Sequence, residues 1–320
     1  MKLAIVKLSA LGDIVHAMVV LQYIKKNIPN TLIDWFAEEQ FCEVLNHNPH
    51  INNIYKTNLK DNKKGILKEY KKLKRISDKE SYDLVIDLQG LMKSAIICKI
   101  LGGEIAGFDK NSIREPLASL FYTKTFCIPY EENIIKRNLK LVSQALNFDI
   151  PVLQDKEAFL YSSSVQNYKP TLLIITGSSW KSKIYPKEHF VKIINALDVK
   201  TLVAWGNSKE EEDAKYICGN TKAKLLPKLN LDELKNLIAN SNLTIGADSG
   251  PTHMAWALNR PSITIFGPTP SWRNCLETDI NISIDCKNKI DAKKLDKADM
   301  CIRDINPQEI INMAKKLLKC

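Results

Sequence analysis

Seven short apolar runs rich in β-branched residues punctuate this chain, at residues 2–7, 31–36, 83–88, 171–176, 201–205, 243–247 and 262–266. Helical periodicity falls between many of them, at 14–26, 188–197, 232–240 and 252–258. Near-continuous apolar strands that alternate with helices predict parallel sheets covered on both faces. Right-handed crossovers then wind such sheets doubly. Two runs read as domain openings. Residues 2–7 lead into Ser9-Ala10-Leu11-Gly12-Asp13 and a helix, and residues 171–176 lead into Gly177-Ser178-Ser179. Between them, residues 161–169 have the most linker-like composition. The expected fold class is therefore α/β, with two doubly wound domains over 1–165 and 166–306. A last helix at 307–320 is free to pack on either, including back on the first. A chain of 320 residues is long enough to give each domain its own core.

The formal net charge of +10 is unevenly spread. From Lys56 to Lys79 ten basic residues stand against three acidic ones. A segment that basic is either a solvated helix face or a site for anions such as phosphates, carboxylated sugars or an acidic lipid surface. Nucleic acid is disfavoured, because no zinc finger, RNA-recognition signature or basic stripe with interleaved aromatics occurs. The eight cysteines lack paired spacing and zinc-ligand spacing, so reduced and mostly buried thiols are expected. The start of the chain has no signal-peptide layout, and the longest apolar stretch, 14–24, is too short to span a bilayer. A cytoplasmic protein is the expectation.

Four constellations are suited to chemistry. In Lys7-Leu8-Ser9-Ala10-Leu11-Gly12-Asp13, a carboxylate falls just after the first strand, where Asp13 either accepts a proton from a substrate hydroxyl or caps the helix. His16, one turn later, reads as a packed histidine. In Gly177-Ser178-Ser179-Trp180-Lys181-Ser182-Lys183, small hydroxyl residues close to lysines suit a diphosphate, although the spacing is not that of a Walker loop. In Asp248-Ser249-Gly250-Pro251-Thr252-His253, a strand ends in a turn with proline at the first helical position. That is either an anion site flanked by Asp248 and His253, or a plain strand–turn–helix. Arg114 within Arg-Glu-Pro-Leu-Ala-Ser, and Arg137 farther on, either grip a carboxylate or form surface ion pairs. No Gly-x-Gly-x-x-Gly follows the first strand, so no nicotinamide or flavin cofactor is expected. No Asp-x-Asp is present either, which makes metal-free chemistry the default.

Taken in order, these motifs resemble the heptosyltransferases of lipopolysaccharide assembly. The residues that carry the resemblance are Lys7-x-Ser-x-x-Gly-Asp-x-x-His16, Tyr82 through Ser94, Arg114 through Tyr122, Lys183-Ile-Tyr-Pro186, Trp205-Gly206 with Glu210, and Asp248 through His253 leading to Phe266-Gly-Pro-Thr269. The Gln-Gly-Leu-Met-Lys-Ser and Arg-Glu-Pro-Leu-Ala-Ser blocks point to the first heptosyltransferase over the second. The resemblance implies a GT-B glycosyltransferase, two Rossmann-like domains facing across a cleft. It implies inverting transfer from ADP-L-glycero-β-D-manno-heptose to the Kdo of Kdo2-lipid A, with no cofactor. It implies Asp13 as the general base and Ser178, Ser179 and Lys183 on the diphosphate. Asp248 would meet heptose hydroxyls, with Ser249, Gly250 and His253 closing around the phosphates. Glu210 would lie near the ribose and Leu229 against the adenine. Lys7, Lys60, Lys63, Lys64, Arg114 and Arg137 would hold acceptor anions, and the basic segment would meet the cytoplasmic face of the inner membrane. Heptosyltransferase II, or another nucleotide-sugar transferase of the same fold, is the alternative.

Overall fold

The opening apolar run forms β1 (Lys2–Val6), fully buried from Leu3 onward and flanked on both sides by strands of the same direction. It starts a six-stranded sheet in the computed structural model, which describes residues 1–58 and 63–319. The other strands are β2 (Leu32–Glu38), β3 (Asn53–Thr57), β4 (Leu84–Asp87), β5 (Glu104–Phe108) and β6 (Lys124–Phe126), in the order β3-β2-β1-β4-β5-β6. Helices α1 (Leu11–Met18), α2 (Val20–Asn27), α3 (Lys63–Glu80), α4 (Met92–Leu101) and α5 (Ile134–Leu146) cover it. Helix α5 packs on α1 and α2, whereas α3 packs on α4, so the helices form two separate layers. This unit spans Met1–Phe159.

The second unit, Leu160–Cys320, repeats the plan. Its strands are β7 (Leu172–Ile175), β8 (Thr201–Ala204), β9 (Lys224–Leu225), β10 (Leu243–Ala247), β11 (Ser262–Phe266) and β12 (Asn281–Asp285), in the order β12-β11-β10-β7-β8-β9. Its helices are α6 (Lys187–Leu197), α7 (Ser208–Gly219), α8 (Leu231–Ala239), α9 (Gly250–Ala257), the short α10 (Ser271–Asn274) and α11 (Pro307–Leu318). Helix α11, which the pattern left free to join either domain, packs on α6 and buries Ile310, Ile311 and Ala314 in the second core.

Both sheets are parallel, and both reverse strand order once: between β1 and β4 in the first, between β7 and β10 in the second. At such a switch point the loops leaving adjacent strands diverge and open a crevice beyond their carboxyl ends. The register sets Val6 level with Asp87, and Ile175 level with Gly246. The loops that follow therefore begin at Lys7 and Leu88 in one unit, and at Thr176 and Asp248 in the other.

Cysteine chemistry corrects the sequence reading. Cys286 and Cys301 form a disulfide, where all eight thiols were expected to be reduced. The pair escapes a spacing argument because the residue after β12 meets the short 3-10 turn Cys301–Asp304 only through the tertiary fold, across a separation of 15 residues. Cys42 and Cys98 are buried as expected, while Cys127 is exposed. Among the described residues no helix is long and apolar enough to cross a membrane.

Candidate functional site

In the first unit, the switch-point loop is shaped by the residues around it. Helix α1 begins at Leu11, and the Asp13 carboxylate reaches back to accept the Ala10 backbone N–H at 3.2 Å. Asp13 thus supports the helix start, and it is half-buried just after the carboxyl end of β1. The loop is held from the β4 side. Gln89 Oε1 accepts the Leu8 and Ser9 N–H groups at 3.1 and 3.3 Å, and Lys7 Nζ donates to the Leu88 carbonyl at 3.0 Å. Gln89 and Gly90 in turn donate their N–H groups to Asp87 Oδ1, at 2.8 and 3.0 Å. Asp87 is fully buried; burial pushes its carboxyl up from the usual range, opposed by those N–H groups and by Tyr122. Gln89 was not singled out from the sequence. Only its place in the Gln-Gly-Leu-Met-Lys-Ser block marked it.

The expected acceptor residues fare unevenly. Arg114 is exposed at the end of the loop after β5. Lys7 is 3% exposed, with its ammonium on a carbonyl. Arg137 is packed inside the unit. It is 2% exposed, donates to the carbonyls of Ser112, Ile128 and Pro129, and stacks its guanidinium 4.4 Å from the Phe108 ring. An arginine so occupied closes the loop between β5 and α5. Its apolar neighbours on α5 hid this from a reading of sequence order. Lys60 lies outside the described residues; Lys63 and Lys64 fall in α3 with side chains likewise outside them. His16 is buried on α1.

In the second unit, the switch-point loops converge on one carboxylate. Asp248 follows β10 and is 5% exposed. Its Oδ2 lies 2.8 Å from Lys183 Nζ and accepts the Thr269 hydroxyl at 2.7 Å; its Oδ1 lies 2.8 Å from His253 Nε2. Burial pushes this carboxyl up, but Lys183 and then His253 outweigh it and hold Asp248 far below the usual carboxylate range. It is therefore an anion over the whole working pH range. A carboxylate offers about four acceptor positions and three are filled here. An ammonium has three donors, of which Asp248 takes one. The hub thus presents Lys183 pre-oriented, with donors to spare.

The walls of this hub are backbone and hydroxyls. Ser178 donates to the Asp248 carbonyl at 2.9 Å, tying the β7 loop to the β10 loop. Ser179 is exposed. Helix α9 starts at Gly250 with Ser249 as its N-cap and proline in its first turn. Its leading N–H groups lack intrahelical partners and carry the positive end of the helix dipole. Ser249 does not cap the helix itself; its hydroxyl meets that of Thr252 at 3.0 Å. Glu210 accepts from Gly206 N at 2.7 Å and Asn207 Nδ2 at 2.6 Å at the start of α7. Its carboxyl lies against Gly177, where an added Cβ would sit 2.1 Å from it. Leu229, half-buried, precedes the Asn230 cap of α8. Thr269 was read from the sequence only as the end of a motif; its bond to Asp248 gives it a part in the site.

Gly246 shows how tightly the β7–β10 edge is built. A Cβ there would meet Thr252 Oγ1 at 2.6 Å and Ile175 Cβ at 2.8 Å. Neither can move far, since Thr252 donates to the Ala247 carbonyl and Ile175 is in the sheet. Gly246→Ala is expected to cost about 2 kcal/mol through overpacking, read as a lowered midpoint in urea unfolding.

Comparison with known proteins gives the family and the fold. The model of glycosyltransferase family 9 (heptosyltransferase) matches residues 70–300. Lipopolysaccharide heptosyltransferase 1 of Campylobacter coli is 42% identical over 341 aligned positions, covering 99% of either chain. Its namesake in Escherichia coli K12 is 29% identical over 287 positions, covering 84% of this chain and 88% of that one. Among solved structures, E. coli heptosyltransferase WaaC with ADP-2-deoxy-2-fluoro heptose superposes with a TM-score of 0.81 at 23% identity, over 99% of both chains. E. coli ADP-heptose lps heptosyltransferase II does so with a TM-score of 0.79 at 19% identity, over 100% of this chain and 99% of that one. These two likenesses carry the fold, Rossmann-like domains of the GT-B type. The family match and the full-length relative carry the rest: this chain belongs to glycosyltransferase family 9 and is a heptosyltransferase.

Proposed function

We propose that this heptosyltransferase moves L-glycero-D-manno-heptose from ADP-heptose to the Kdo of Kdo2-lipid A, with inversion at the anomeric carbon and without a metal ion. The observation that carries the reading is the hub of Lys183, Asp248, His253 and Thr269 at the switch point of the second sheet. It offers fixed positive charge beside a helix N-terminus, which suits a sugar diphosphate. That a solved relative is described with an ADP-heptose analogue agrees with such a donor. Asp13, just beyond β1, takes the proton of the attacking Kdo hydroxyl. As the new C–O bond forms at the anomeric carbon, the bond to the β-phosphate oxygen breaks and its electron pair leaves with ADP. Lys183, the Ser178 and Ser179 hydroxyls and the first-turn N–H groups of α9 meet the charge that develops there. These groups take the place that a divalent ion fills in other nucleotide-sugar enzymes. His253 shares the negative charge of Asp248, and the remaining acceptor position of Asp248 is available to a heptose hydroxyl. Glu210 and Leu229 take the ribose and adenine; Arg114, Lys7 and the lysines Lys60, Lys63 and Lys64 take acceptor anions. The reaction is placed at the cytoplasmic face of the inner membrane, where a lipid-borne acceptor is presented.

The test is transfer from ADP-L-glycero-β-D-manno-heptose to Kdo2-lipid A in the presence of EDTA, with the new linkage assigned by NMR. Undiminished turnover and an α-linked product are expected. A β-linked product, or activity that EDTA abolishes and magnesium restores, would overturn the mechanism. Transfer only to an acceptor that already bears heptose would move the enzyme to the second step of core assembly.

A further inference from the structure

We propose that the outer surface of the α3–α4 layer, together with the 3-10 turn Pro116–Phe121, is a bilayer-docking face that inserts Leu117 and Leu120 into an anionic membrane. Helix α3 packs on α4, and α4 packs on that turn, so the three share one side of the first sheet. Each turns an apolar side chain outward. Leu117 and Leu120 are 64% and 78% exposed, Leu67 57%, Tyr70 49% and Ile96 46%. Scattered exposed leucines are ordinary on a protein surface. Here, five of the thirteen large exposed apolar side chains among the described residues fall on one layer, and this concentration needs a partner.

Spacing aligns them. Leu117 and Leu120 are three apart in a 3-10 turn, where such residues eclipse one another. On α4, Lys93, Ile96 and Lys99 form one exposed stripe at intervals of three; on α3, Leu67, Tyr70, Lys71 and Lys74 form another. The turn is not a loose loop. Tyr122 donates to Asp87 Oδ2 at 2.8 Å with its ring against Gly107, and Glu115 accepts the first N–H of α4 at 2.7 Å. Ala118 is buried beneath it. The two leucines are thus held outward by a fixed support.

The chemistry around them selects the partner. Lys71, Lys74, Lys93, Lys99 and Arg114 are all exposed about the apolar positions. Of the nearby acids, Asp78 is paired with Lys74 at 3.0 Å, and Glu115 is spent on α4. Protein interfaces are depleted in lysine at their centres, whereas apolar side chains among lysines match acyl chains beneath anionic headgroups. The inference rests on the reading of a lipid-borne acceptor, which it deepens by naming the surface that meets the lipid.

Co-sedimentation of the full chain with vesicles tests it, using phosphatidylcholine alone and phosphatidylcholine mixed with phosphatidylglycerol. Wild type is expected to bind the anionic vesicles only. The double variant Leu117→Ser/Leu120→Ser should bind them about tenfold more weakly, and Leu32→Ser, exposed elsewhere, should bind as wild type. Equal binding by wild type and the double variant would overturn the proposal, as would wild-type binding to neither vesicle. Self-association lost in the double variant, without vesicle binding, would instead assign the face to a second copy of the chain and overturn it too. A deacylated, water-soluble Kdo acceptor separates this from the functional reading: the double variant should glycosylate it at the wild-type rate. Should wild type fail on that acceptor while the vesicle results stand, the acceptor assignment falls and the docking face remains.

Discussion

Asp13→Asn is expected to lower kcat for heptose transfer by about a thousandfold, in the middle of the range for losing a positioned general base. The substitution isolates the proton transfer. Asn has the same shape, and its amide oxygen can still accept the Ala10 N–H that Asp13 accepts at 3.2 Å. The start of α1 is therefore kept, and so is the loop, because its other supports come from Gln89 and Lys7 rather than from Asp13. What goes is the basicity. Asp13→Ala removes both functions and should add a stability loss of roughly 0.5–1 kcal/mol from the helix start. Binding of ADP, measured by calorimetry, should be the same in wild type and both variants, since the groups proposed to hold the donor lie in the second unit. Turnover of the Asn variant within a few-fold of wild type would remove Asp13 from the chemistry and leave it a helix-capping residue.

How far sequence reached is clearest in particular residues. The central strands were legible because a strand covered on both faces must be apolar almost throughout: β1, β4, β7, β10 and β11 are buried along nearly their whole length. The strands β3, β5, β6, β9 and β12 were not marked. β3, β6, β9 and β12 are the sheet edges, short or mixed in pattern, as in Asn-Ile-Tyr-Lys-Thr of β3. β5 is interrupted by Gly107, which carries no apolar side chain because the Tyr122 ring takes its space. The same logic applies to the site. Asp13, Asp248 and His253 stand directly after a strand or in the first turn of a helix, and Lys183 in the loop after β7, so position made them candidates and the family resemblance supplied their roles. Thr269 and Gln89 act through contacts made across the switch points, and no local pattern announces a partner 21 or 81 residues away. The burial of Arg137 was hidden for the opposite reason. Arginine on an amphipathic helix reads as a surface cation, whereas here five N–H donors suit it to gathering the carbonyls of a folded-back loop.

Lys183→Met should combine the other large effects, because Lys183 pairs with buried Asp248 and is the cation proposed to meet the donor diphosphate. Removing its ammonium leaves Asp248 buried with His253 and Thr269 alone. A buried ion pair broken from one side costs about 3–5 kcal/mol when nothing else compensates; with two donors remaining, about 2–3 kcal/mol is expected at neutral pH. Affinity for ADP should fall about thirtyfold, the worth of one charge-assisted hydrogen bond to phosphate. The pH dependence separates this from a packing defect. In wild type the Asp248 carboxyl lies far below its unfolded value. Its contribution is fully present above the unfolded pKa and is lost only as pH falls through the depressed folded one. Without Lys183 the burial that pushes the carboxyl up is opposed by less, so the folded variant takes up a proton at higher pH than wild type does. The stability gap between the two proteins should therefore narrow as pH falls from 7 toward 4, followed by denaturant unfolding at each pH. A gap that stays constant over that interval would mean that Met disturbs packing alone, and that Lys183 is not what keeps Asp248 ionised.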